Sequence, residues 1–148
     1  MKLSALISKD CSKAAVLFSS KKRILEYISE LAHQQLPDLD QHDILDALLA
    51  REKLGSTGIG KGVALPHGRM AAVDKVLVMV LVNQEAIDYD AIDNRPVDIF
   101  VALIVPEGDN QTHLQTLAAI ADKLRDKEFC RMLRQAQSDE QLFEILSS

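Results

Sequence analysis

A three-layer α/β/α sandwich, with a mixed central sheet flanked by helices, is the α/β fold class that this sequence predicts. Two runs of strand length are apolar throughout, VLVMVLV at Val76–Val82 and IFVALIV at Ile99–Val105, as expected of strands covered on both faces. Amphipathic helical patterns lie before and after them, so helices are available for both outer layers. Several links between the expected strands leave no room for a crossover helix, which argues against a purely parallel sheet.

The elements follow in order. Ala14–Phe18 is a short apolar run that suits a first strand. Ser20 precedes KKRILEYISELAHQQL, where Ile24, Ile28, Leu31 and Leu36 recur at helical spacing until Pro37. A second helix is expected from Asp40 to Leu54, with Ile44, Leu45, Leu48 and Leu49 inward and Gly55 as its stop. Val63–Leu65 suits a short strand, Ile87–Tyr89 an edge strand, and Val97–Val105 a buried one. Leu114, Leu117, Ala121 and Leu124 form the stripe of a further helix, and Phe129–Arg134 a short one. Ser138 and Gln141 have capping-box spacing before a last helix that buries Leu142, Phe143, Ile145 and Leu146.

The bulk properties restrict the function classes. A chain of 148 residues fits one domain, residues 1–148. The net charge of −5 argues against nucleic-acid binding, which needs a basic footprint. No segment approaches the roughly 20 apolar residues of a membrane span, so no membrane insertion is expected. The N-terminal LSALIS after Lys2 meets Lys9 and Asp10 too soon for a secretory signal. Cys11 and Cys130 are far apart and without metal-type spacing, so a reducing, cytoplasmic setting is the expectation. No G-x-S-x-G elbow of a serine hydrolase is present.

One segment departs from this ordinary composition. Five of the six glycines lie between Gly55 and Gly68, in GSTGIGKGVALPHG. Glycines admit positive φ and bring backbone amides close to a ligand, and a concave row of amides favours an anion. Ser56, Thr57, Gly58, Ile59, Gly60 and Gly62 are therefore the candidate phosphate loop. Between Arg51 and Arg69 the formal charge is +3, from Arg51, Lys53, Lys61 and Arg69 against Glu52. Gly55–Lys61 matches G-x-x-x-x-G-K, but Gly62 stands where a nucleotide-binding loop has Ser or Thr. That loop also follows a strand and opens a helix, whereas this one follows a helix and opens a strand. The dinucleotide fingerprint G-x-G-x-x-G is absent as well.

Histidine suits a different phosphate chemistry. His67 sits behind Pro66, a rigid entry that orients the ring. A neutral imidazole nitrogen is nucleophilic near pH 7 and can take a phosphoryl group covalently. Such transfer is mostly positioning and electrostatics, and an arginine fork matches phosphate geometry. Arg51 closes the helix feeding the loop and is placed either to supply that fork or to stand as a solvated cation at the helix end. His113 lies near a helix start, where an anion is favoured, and is equally consistent with ordinary packing. His33 and His42 lie on helices without supporting chemistry.

With these residues identified, REKLGSTGIGKGVALPHGR resembles the phosphorylation-site signature of the enzyme IIA proteins of the bacterial phosphotransferase system, fructose/mannitol type. AIDNRPVDIFVALIVP, THLQTLAAIADKL and CRMLRQAQSDEQLFEIL resemble the nitrogen-regulatory branch in particular. The resemblance implies that His67 accepts phosphate at Nε2 from a phosphocarrier protein (HPr/NPr-like), with Arg51 and His113 stabilising it. It implies no metal and no cofactor, and a stand-alone regulator of nitrogen- and potassium-related target proteins set by phosphorylation state. A sugar-specific enzyme IIA serving a IIB partner, and a binding regulator with vestigial phosphorylation, are the alternatives. Lys61 departs from the family, which often has a small polar residue such as Asn there.

Overall fold

The computed structural model describes residues 5–108 and 110–147. Lys2, weighed above as part of a secretory signal, lies outside them, as does the start of the apolar run behind it. A short 3-10 turn at Lys9–Cys11 leads into β1 (Ser12–Val16), followed by α1 (Lys21–Gln35) and α2 (Gln41–Lys53). Four short or medium strands come next, β2 (Gly58–Gly60), β3 (Val63–Ala64), β4 (His67–Met70) and β5 (Leu77–Ile87). The chain closes with β6 (Val97–Pro106), α3 (Asn110–Lys123), α4 (Lys127–Gln135) and α5 (Asp139–Ser147).

The six strands form one mixed sheet in the order β1-β5-β6-β3-β2, with β4 also paired to β6. β1 runs parallel to β5, β5 antiparallel to β6, and β3 and β4 parallel to β6. Residues 99–105 of β6 are all buried, even and odd positions alike, so both faces of the sheet are covered. This is the mixed α/β sandwich expected from the sequence. Among the described residues no helix is long and apolar enough to cross a membrane.

Local chemistry explains most boundaries. Ser20 caps α1 by accepting from the Arg23 amide at 3.2 Å, and Asp40 caps α2 by accepting from His42 at 2.7 Å. Caps of this kind contribute about 1 kcal/mol each. His33 Nδ1 contacts the Leu39 carbonyl at 2.7 Å and ties the α1–α2 turn. In the last helix the Gln141 amide donates to Ser138 Oγ at 3.1 Å, and the Gln141 side chain accepts from the Gln137 amide at 2.9 Å.

Several expectations are corrected. The first strand is Ser12–Val16 rather than Ala14–Phe18, because Ala15 takes φ +53° and the register against β5 shifts there. Beyond Val16 the Asn83 side chain takes over the pairing, bonding both the amide and the carbonyl of Phe18 at 2.8 and 2.9 Å. No separate edge strand occupies Ile87–Tyr89; β5 continues to Ile87, and Tyr89 is fully buried. In α3 His113, Thr116 and Ile120 are buried; of the expected stripe Leu117 and Ala121 are partly buried against the core and Leu124, just past the helix, is buried, while Leu114 is 60% exposed. The glycine-rich segment is a small hairpin followed by a third strand, with β2 antiparallel to β3 and β4 beginning at His67 itself.

Candidate functional site

β3 and β4 form one interrupted line along β6. Pro66 has no N–H to give the ladder, yet its carbonyl still accepts from the Leu103 amide at 2.9 Å. His67 thus enters β4 in register with Leu103, and Arg69 with Val105. Strand alternation puts His67 and Arg69 on one face and Gly68 on the other. A Cβ at Gly68 would lie 2.9 Å from the Ala47 Cβ of α2, so only glycine lets that helix seat directly on the strand. The helix carrying Arg51 is thereby brought to the strand carrying His67.

A cleft of about 600 Å³ opens at this sheet edge. Its polar lining is Arg51, His67, Arg69 and His113, and its apolar lining includes Ala47, Ala50, Leu54, Leu114 and Leu117. Residues 16 and 46 positions apart in sequence from His67 therefore meet it in one pocket. Leu54 and Leu114 are 84% and 60% exposed, and they form an apolar rim around the cationic centre.

His67 is half-buried, and its Nδ1 lies 2.8 Å from the Leu65 carbonyl. A carbonyl only accepts, so Nδ1 carries the proton and Nε2 keeps its lone pair. Burial lowers the pKa of the ring below its ordinary value; the Leu65 carbonyl opposes this, while the charges of Arg51 and Arg69 assist and Glu52 opposes. The ring is thus held neutral, as a nucleophile requires.

Arg51 is half-buried and donates through Nη1 to the Gly55 carbonyl at 2.7 Å, which closes the C-terminal turn of α2. His113 is 5% exposed, and its Nδ1 has no hydrogen-bond partner among the described residues. A buried nitrogen left so costs about 1–3 kcal/mol. Arg69 is exposed beside them and was not singled out from the sequence as a site residue; its i+2 spacing from His67 on a strand was the available signal.

The candidate phosphate loop is placed differently. Ser56, Thr57, Gly58, Ile59, Gly60 and Gly62 do not line the His67 cleft. Gly58 lies against Ala91, whose Cβ would stand 2.7 Å from an added Cβ, and its amide donates to Ser56 Oγ at 3.0 Å. Thr57 is tied to Glu52 and Tyr89. The glycines here serve close packing, and the segment reaches the cleft indirectly, since the Thr57 carbonyl accepts from the Leu65 amide at 2.9 Å.

Among the described residues no three or more His, Cys, Asp or Glu side chains gather as a metal site. The family described as phosphoenolpyruvate-dependent sugar phosphotransferase system, EIIA 2, matches residues 5–148. The nitrogen regulatory protein of Klebsiella oxytoca is 49% identical over 148 residues, covering 99% of this chain and 91% of that protein. The crystal structure of nitrogen regulatory protein IIA-Ntr from Neisseria meningitidis superposes with a TM-score of 0.90 at 34% identity, covering 97% of this chain and 98% of that one. IIA mannitol from Escherichia coli, at 20% identity and a TM-score of 0.78 over 95% of this chain and 98% of that one, shares the fold.

Proposed function

The chain belongs to the EIIA type-2 family of the phosphoenolpyruvate-dependent sugar phosphotransferase system, and on that premise we propose that it is a phosphoryl relay and regulator whose acceptor atom is Nε2 of His67. The observation that carries the reading is the hydrogen bond from His67 Nδ1 to the Leu65 carbonyl, which leaves the other nitrogen as a lone-pair donor facing a cationic cleft.

The Nε2 lone pair attacks the phosphorus carried by a phosphocarrier protein. The bond from phosphorus to the carrier breaks, and its electron pair returns to the carrier atom. A new bond joins Nε2 to phosphorus, and no proton has to leave, because the neutral ring has none at Nε2. The ring acquires positive character, and its Nδ1–H bond to Leu65 strengthens as it does so. Arg51, Arg69 and His113 surround the equatorial oxygens and stabilise their charge, which is the main requirement of phosphoryl transfer. Ser56–Gly62 act through the backbone that positions Leu65 rather than as an amide cradle. Neither a metal nor a cofactor enters this step.

The nitrogen-regulatory relatives favour a regulatory outcome, and the free cysteines Cys11 and Cys130 suit a reducing cytoplasm. A phosphate at His67 adds about −1.5 to −2 charges to a cationic cleft with an apolar rim, which changes the target proteins that the surface accepts. Targets of nitrogen and potassium balance fit that branch. The test is uptake of acid-labile phosphate from a phosphorylated carrier by the wild-type chain and by His67→Ala. One phosphate per wild-type chain and none on the variant is expected. No labelling of wild type would leave a binding regulator, and onward transfer to a IIB protein would make it a sugar-type component.

A further inference from the structure

Outside the lining of the cleft lies a second, buried polar cluster that the phosphoryl-transfer reading does not use. Glu52 follows Arg51 on α2, and its side chain is 6% exposed. Its carboxylate accepts from the Thr57 amide at 3.3 Å, the Tyr89 hydroxyl at 3.0 Å and the Lys21 ammonium at 2.9 Å, and also from the Thr57 hydroxyl. Lys21 sits 4.4 Å above the Tyr89 ring and donates to the Tyr89 carbonyl at 3.3 Å. Tyr89 is fully buried against Phe100, and its hydroxyl pKa is pushed up, by burial first and then by Glu52, so it remains a donor. A charge in so dry a place persists only because each oxygen is paired.

The cluster is connected to His67 by three successive hydrogen bonds. Glu52 holds the Thr57 amide at 3.3 Å, the Thr57 carbonyl holds the Leu65 amide at 2.9 Å, and the Leu65 carbonyl accepts from His67 Nδ1 at 2.8 Å. Ser56, Thr57, Leu65 and Pro66 all lie outside the strands that flank them. Ala64 before it and the Pro66 carbonyl after it are held by β6, but Leu65 itself has no ladder pair there, and its amide is held by Thr57 instead. We propose that Glu52, braced by Lys21 and Tyr89, is a positioning residue that aims the Leu65 carbonyl and so sets the tautomer of His67.

This rests on His67 being the phosphoryl acceptor, but its first readout does not need a carrier. The imidazole nitrogens of His67 are observed by ¹⁵N NMR in the unphosphorylated full chain, for wild type, Glu52→Gln and Tyr89→Phe. Wild type is expected to hold the Nδ1–H form. Glu52→Gln, with one acceptor oxygen facing four donors, is expected to populate the Nε2–H form and to lower kcat for phosphate uptake about 10-fold or more at nearly constant KM. Tyr89→Phe keeps the ring packing, loses one donor, and is expected to shift both readouts in the same direction by less.

A folded Glu52→Gln chain that retains the wild-type tautomer overturns the proposal, whatever its rate. If that variant does not fold, an unchanged tautomer in Tyr89→Phe overturns it instead. A wild-type chain that takes up no phosphate refutes the relay reading, and the NMR comparison still decides the role of Glu52.

Discussion

His67 Nδ1 and the carbonyl of Leu65, two residues apart on either side of Pro66, are joined by a hydrogen bond of 2.8 Å. Pro66 cannot donate to the ladder, so the backbone between them departs from the strand and turns a carbonyl back onto the ring. That one contact puts the proton on Nδ1 and leaves Nε2 with its lone pair, as the proposed role of acceptor needs. It also makes the chemistry depend on the protonation of a single group.

The pH dependence follows with a definite sign. The His67 pKa is lowered in the folded chain, mainly by burial. Between that lowered value and about 6.5, the unfolded chain binds a proton that the folded chain does not. Stability therefore rises with pH across that window and is lost as pH falls through it. Urea unfolding from pH 5 to pH 8 should show this slope in wild type and less of it in His67→Gln. Phosphate uptake should hold across that window and fall only at lower pH, as the folded ring passes through its own lowered pKa and Nε2 becomes protonated.

His113 should oppose stability and serve transfer. Its buried Nδ1 has no partner among the described residues, so His113→Leu is expected to leave stability unchanged or raise it by about 1 kcal/mol. The same change should slow phosphate uptake by about 100-fold if the imidazole is a transition-state donor. Thermal unfolding and single-turnover transfer measure the two effects, and loss of both stability and rate would mark a purely structural histidine.

The two arginines should separate kinetically. Arg51→Lys keeps a charge but loses the fork and the bond to Gly55, and is expected to lower kcat by about 100-fold. Arg69 is exposed at the mouth, so Arg69→Gln should mainly lower kcat/KM and flatten its salt dependence. Transfer rates at several salt concentrations would show whether the roles divide this way.

Gly68→Ala tests the seating of α2. The added Cβ would stand 2.9 Å from the Ala47 Cβ and 3.0 Å from its carbonyl carbon. Overpacking of this kind costs about 1–3 kcal/mol, and displacing Arg51 from the cleft should also slow uptake. Ala47→Gly should restore part of both in the double variant, since it removes one of the two clashing groups.

Some of this was legible along the chain and some was not. The buried strands and the capped helices show in periodicity and end signals, because burial pattern and capping are local properties. The expected stripe of α3 holds for Leu117, Ala121 and Leu124 but not for Leu114, which stands 60% exposed at the cleft rim while its neighbour His113 takes the inward position. A helix buries what its neighbours leave room for, and here the inward positions include an imidazole. The glycines of Gly58–Gly62 looked like a phosphate cradle by composition. Their reasons are the Ala91 backbone beside Gly58 and the hairpin turn at Lys61–Gly62, both set by residues distant in sequence or by pairing.

The sequence by itself determined the layered α/β class and the family signature, and it singled out His67 as the imidazole proposed to carry phosphate. Those depend on residue type and short-range spacing, which any stretch of chain displays on its own. Only the tertiary structure decided that Arg51, Arg69 and His113 share a cleft with His67, that Nε2 is the free nitrogen, and that Glu52 is linked to the ring through Thr57 and Leu65. The cleft depends on which helix faces arrive at the sheet edge, and the Leu65 carbonyl, though only two residues from the ring, is carried by a backbone held through the Thr57 carbonyl and, behind it, Glu52. Such meetings are long-range contacts, fixed by packing the whole sheet and its helices together.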